Sequence, residues 1–154
     1  MSDAALLLAA LRKRGQSCAV AESLTGGLLA ATMVDVPGAS HSFRGGLIVY
    51  ATDLKATLAL VPADLLAERG PVDPDVALAM AQGARERCGA DWGISTTGVA
   101  GPQSQDGHPP GEAYVAVVGP ATSIVHRMHE TGDRDQVRGS AVRAALAHAL
   151  DALG

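Results

Sequence analysis

Residues 21–27 read Ala-Glu-Ser-Leu-Thr-Gly-Gly and follow the short run Ser17-Cys18-Ala19-Val20. The run predicts a buried strand ending at Glu22. Two glycines then let the backbone turn into the amphipathic stretch Leu28–Val34. Ser23 thus falls where a strand hands over to a helix. Such a junction offers unpaired backbone N–H groups and the positive end of a helix dipole. A serine hydroxyl there can act as a nucleophile, with backbone N–H groups near Thr25, Gly26 and Gly27 to hold an oxyanion. Hydroxyls at such junctions also serve as plain helix caps, and the stretch by itself favours that role for Ser23 or Thr25.

A nucleophilic serine needs a base, and the chain offers an unusual candidate. It has ten arginines but only two lysines, Lys13 and Lys55. Lys13 belongs to the Arg12-Lys13-Arg14 run, which suits a solvated helix end. Lys55 stands alone, and lysine, unlike arginine, can lose its proton at workable pH; codon bias would also give this ratio. With Thr52 as a helix cap, Lys55 is the third helical residue, where a cation opposes the dipole. Opposition of this kind lowers a lysine pKa, as desolvation does, and a neutral amine beside a hydroxyl is a general base. The competing reading has Lys55 in solvent, its charge offset by Asp53. Tyr50 ends an apolar run. Its phenol serves either as the rim of the core or as a proton relay between Ser23 and Lys55.

Two further groups suit an anion. Thr97, Gly98 and Gly101 lie in a Thr-Gly-Val-Ala-Gly turn whose N–H groups fit a phosphate or carboxylate. Arg134 and Arg138 share one face of the last helix, as a solvated pair or an anion-binding one. His126 and His129 fall on opposite faces of a strand, and His41, His108 and His148 are isolated in sequence, so no metal and no other cofactor is expected. Walker A, GxGxxG, GxSxG and HExxH patterns are all absent from the chain.

The elements that must position these groups alternate along the chain. Helices are predicted at 4–14, 26–34, 52–60, 63–68, 73–88 and 133–153, and strands at 17–21, 45–51, 91–97, 113–118 and 122–129. Asp73-Pro74-Asp75 and Asp133 mark strong helix starts. Residues 98–111 hold four glycines and three prolines and form a long loop. The order implies an α/β fold, a three-layer α/β/α sandwich with a mixed, mostly parallel sheet. In such sheets sites form beyond the strand C-termini, which would gather Ser23, Tyr50, Lys55 and the 97–101 turn around one cleft.

At 154 residues the chain reads as one domain. Its net charge of −4 and lack of a basic stripe argue against a nucleic-acid partner. Cys18 and Cys88 form no CxxC pair and read as reduced, buried residues. Without a leader or a long apolar run, no membrane association and a cytoplasmic location are expected. The apolar-rich composition points to a homo-oligomer.

The set Ala21–Gly27, Pro37-Gly38-Ala39-Ser40, Phe43-Arg44-Gly45-Gly46, Tyr50, Lys55, Thr97–Pro102, Pro110-Gly111 and Gly132-Asp133-Arg134 through Arg138 resembles the CinA C-terminal family, over nearly the whole chain and in order. The resemblance implies an α/β/α domain that hydrolyses nicotinamide mononucleotide to nicotinic acid mononucleotide and ammonia. It puts the nucleophile at Ser23 and the base at Lys55, assisted by Tyr50. It also implies a stand-alone amidase, the chain being too short for the N-terminal molybdopterin-binding-like domain of larger members. The alternatives are a non-catalytic nucleotide-binding or competence-linked accessory domain, and an amidase for another substrate. The chain departs from the family pattern at Gln103–His108 and at Glu112. The first lies in the 98–111 loop and the second directly follows it, so both bear on substrate affinity and selectivity.

Overall fold

Side-chain size along the central strands decides the layering. A computed structural model describes residues 1–154. In β1 (Cys18–Glu22) every residue is buried. Cys18 and Val20 pack with α1 (Asp3–Arg14), α2 (Leu28–Val34) and α6 (Arg134–Leu153). Ala19 and Ala21 face the other way, toward α4 (Ala63–Arg69) and α5 (Pro74–Cys88). This period of two puts helices on both faces of a five-stranded sheet. The remaining elements are β2 (Phe43–Ile48), α3 (Thr52–Thr57), β3 (Trp92–Gly98), β4 (Glu112–Val118) and β5 (Ser123–His129). The sheet order is β2-β1-β3-β4-β5. β1 pairs in parallel with β2 and β3, whereas β3–β4 and β4–β5 are antiparallel. The sheet is therefore mixed, as expected, with only β4 reversed. No helix is long and apolar enough to cross a membrane.

Most elements fall within a few residues of their expected bounds. β2 ends at Ile48, short of the expected Ala51, and Ala51 rather than Thr52 occupies the cap position of α3. Past the strand end Val49 makes one last bond to β1, its N–H donating to the Glu22 carbonyl at 2.8 Å. Asp73 caps α5 through the N–H groups of Asp75 and Val76, and Asp133 forms a full capping box with Gln136. Cys18 is buried, its thiol pushed up to about 12 by desolvation. Cys88 is only half-buried.

Small residues bring α5 close to the sheet and to the segment after α3. A Cβ at Gly93 would stand 1.9 Å from the Ala81 carbonyl oxygen, and one at Gly83 would stand 1.6 Å from that of Ala59. Both obstacles are backbone, which cannot swing aside. Gly83→Ala is therefore expected to cost about 1–3 kcal/mol of stability. Chemical denaturation should report this loss, and an unchanged midpoint would refute the close approach.

Candidate active site

Parallel pairing of β1 with β2 and β3 brings the C-termini of three strands to one edge of the sheet. The segments that follow them, 23–27, 49–55 and 99–102, converge there as the sequence implies. A cavity of about 380 Å³ opens between them. Ser23, Leu24, Tyr50, Lys55, the 97–105 stretch and Arg134 line it, with Pro71 and Val72.

Ser23 follows β1 directly, and its N–H donates to the Thr96 carbonyl at 3.0 Å. Its side chain is buried at the cavity wall. Lys55 is only 1 % exposed, which rules out the solvent-facing reading. Its Nζ lies 3.0 Å from Ser23 Oγ, 2.7 Å from the Val49 carbonyl and 3.3 Å from the Tyr50 carbonyl. No carboxylate forms an ion pair with it. Burial lowers its pKa to about 8. Desolvation is the cause, rather than the start of α3, where Lys55 is the fourth helical residue.

This geometry suits a neutral amine. Two N–H bonds can point at the two carbonyls, leaving the nitrogen lone pair toward the serine hydroxyl. The Tyr50 phenol does not stand between Ser23 and Lys55. The alternation of β2 carries on past its end, so Val49 is fully buried, while the next side chain, Tyr50, points out and is 61 % exposed. The phenol accepts a bond from Arg134 at 3.2 Å instead. Of the two readings of Tyr50 the relay is not met: Lys55 contacts Ser23 directly, and Tyr50 contributes its carbonyl.

The expected oxyanion site also needs correction. Gly27, at the cap position of α2, has no side chain to give. Glu22 caps the helix in its place. Its carboxylate is fully buried and accepts from Leu29 N–H at 2.8 Å, Ala30 N–H at 3.0 Å and Thr25 Oγ1 at 2.6 Å. The open helix end is therefore already filled from within. Thr25 Oγ1 also contacts Thr96 Oγ1 at 2.8 Å, and Gly26 N–H is spent on the Ser23 carbonyl. Thr25, Gly26 and Gly27 do not line the cavity. Leu24 does, and its backbone N–H has no acceptor within the protein. It is the donor placed next to the nucleophile. Sequence reasoning missed Glu22. The available signal was an acid ahead of a helix whose cap position is glycine.

The two arginines divide their work. Arg134 borders the cavity, donating to the Gly101 carbonyl at 2.6 Å and to Tyr50. Arg138 lies outside the lining and bonds the carbonyls of Leu24 and Thr25 at 2.9 and 3.1 Å. It clamps the turn that carries Ser23 rather than facing a ligand. Thr97, Gly98 and Gly101 do line the cavity. Thr97 Oγ1 is bonded to the Pro71 carbonyl at 2.6 Å, so its hydroxyl braces the wall. The N–H groups of Ala100 and Gly101 have no protein acceptor. Among the histidines, the fold stacks His126 on His148, with ring centroids 4.1 Å apart. No group of three or more His, Cys, Asp or Glu side chains is placed to hold a metal ion.

Comparison with known proteins agrees with this architecture. The family model described as CinA C-terminal domain matches residues 2–153. A CinA-like protein of Frankia casuarinae is 47 % identical over 92 % of the chain, and one of Acidobacterium capsulatum is 44 % identical over 92 %. The match takes in 33 % and 34 % of those relatives, so the chain spans about a third of their length. Among solved structures, a competence-damaged protein (CinA) superfamily protein of Klebsiella pneumoniae superposes with a TM-score of 0.94 at 31 % identity, covering 98 % of this chain and 95 % of that one. Its Escherichia coli counterpart gives 0.93 at 32 % identity, covering 96 % and 87 %.

Proposed function

The chain belongs to the CinA C-terminal domain family, and from that premise we propose that it hydrolyses the carboxamide of nicotinamide mononucleotide to nicotinic acid mononucleotide and ammonia. The observation that carries the reading is the buried Lys55 amine 3.0 Å from Ser23 Oγ on the wall of a cavity. A buried lysine without an acidic partner is poorly explained by stability alone, because desolvation opposes its charge.

Neutral Lys55 takes the Ser23 proton as Oγ attacks the carboxamide carbon. The carbonyl oxygen gains the negative charge and accepts the Leu24 N–H. The new Lys55 ammonium then gives its proton to the departing nitrogen, the C–N bond breaks, and ammonia leaves. Water attacks the resulting ester, passing one proton to Lys55 and then to Ser23 Oγ as the acid is released. Atoms balance as amide plus water giving acid plus ammonia. Val49 and Tyr50 carbonyls hold the amine throughout, and Arg138 and Glu22 hold the turn.

Arg134 is the cation at the cavity free to meet a phosphate, since a guanidinium has five donors and two bonds leave others unused. Nicotinamide mononucleotide is expected to surpass nicotinamide riboside and free nicotinamide in kcat/KM by about a hundredfold or more. Arg134→Ala should shrink the gap by about tenfold. Ammonia release from the three compounds measures this. Equal kcat/KM values would mean that no phosphate is read, and the substrate would be another amide.

A further inference from the structure

The cavity has one wall that neither the dyad nor the phosphate site uses. Gln103, Ser104 and Gln105 line it with exposed side chains that make no hydrogen bond within the protein. Two amides and a hydroxyl are uncharged and offer both donors and acceptors. They match hydroxyl-bearing groups, such as a sugar diol, better than a second anion.

Something must hold this wall still. A two-residue turn closes behind it. Gln105 N–H donates to the His108 carbonyl at 3.0 Å, and His108 N–H returns a bond at 2.8 Å. Asp106 and Gly107 take φ values of 50° and 81°, the left-handed pair that such a turn needs. The turn is then tied to the sheet. His108 Nδ1 lies 3.0 Å from Glu112 Oε2 on the first residue of β4. Glu112 is itself buried and fixed, with Tyr114 Oη at 3.2 Å and Arg127 Nε at 3.3 Å on its other oxygen. Burial opposes its charge, but bonds from His108, Arg127 and Tyr114 outweigh it and hold the carboxyl below its ordinary range. The His108 imidazole is thus the link between a rigid strand end and a wall with few other ties.

We infer that Gln103, Ser104 and Gln105 are specificity-determining residues for the sugar of a nucleotide substrate, and that the His108–Glu112 contact is the positioning device that sets where they stand. The inference rests on the cavity being the nucleotide site proposed above.

The test uses the full chain. In a Ser23→Ala background, where turnover is removed, adding His108→Ala should weaken nicotinamide mononucleotide binding by about tenfold in calorimetry. Amide hydrogen exchange at 104–107 should speed up by about tenfold or more in the same protein. His108→Gln can still donate to Glu112 and should restore both to within about threefold. With Ser23 present, His108→Ala should raise KM by about tenfold and leave kcat within about twofold. Unchanged exchange and affinity would overturn the inference, as would a loss of kcat at constant KM, or His108→Gln behaving like His108→Ala. The expected binding changes in a protein that releases no ammonia would count against the proposed reaction alone. No nucleotide binding in the Ser23→Ala background would overturn both.

Discussion

Ser23→Ala is expected to lower ammonia release from nicotinamide mononucleotide by about three to six orders of magnitude, the range for removing a positioned nucleophile. The fold should survive. Ser23 Oγ bonds only Lys55, and the amine keeps the Val49 and Tyr50 carbonyls when the hydroxyl goes. The Ser23 backbone bonds to Thr96 and Gly26 do not involve the side chain. A thermal midpoint within a few degrees of wild type, together with retained nucleotide binding, would assign the loss to chemistry. Residual turnover above about one part in a hundred would exclude a covalent serine intermediate.

Lys55 should give an equally large effect with a distinct pH signature. Activity needs the neutral amine, so kcat/KM is expected to rise about tenfold per pH unit below about 8 and to level off above it. Lys55→Arg keeps the charge but cannot deprotonate, and it should be as damaging as Lys55→Met, about three orders of magnitude or more. Near-normal activity in Lys55→Arg would move the base to another group. Stability carries the same signature. The folded-state pKa of about 8 lies below the ordinary 10.5, so the unfolded chain holds more protons between those values. Stability from this group therefore rises as pH climbs from about 8 to 10.5, by about 3 kcal/mol in all. Denaturation midpoints across that window should show the rise in wild type and lose it in Lys55→Met.

Much of this site was legible without coordinates. Strand, turn and helix signals around residues 17–34 located Ser23, and the scarcity of lysine singled out Lys55. The order of elements implied that both would reach one sheet edge. What stayed hidden depends on which face of an apolar run is buried. The period of two sends Val49 inward and Tyr50 outward, but the apolar run from Leu47 to Tyr50 has no polar residue to say which of its two faces is buried. Glu22 stayed hidden because its main partners are backbone N–H groups of Leu29 and Ala30, which have no residue identity to read. The Arg138 clamp escaped for the same reason, since its acceptors are carbonyls.

The two carbonyls that hold Lys55 have an evolutionary consequence. Substitution at Val49 or Tyr50 replaces a side chain but leaves each carbonyl where the chain path puts it. Mutation cannot easily delete the acceptors that aim the base, so its aim is buffered against sequence drift at those two positions. A shift of the strand end by one residue would misdirect the amine without altering any catalytic side chain. Insertions and deletions between Ile48 and Lys55, rather than point changes at positions 49 and 50, are the alterations that would misaim the base while leaving Lys55 itself in place.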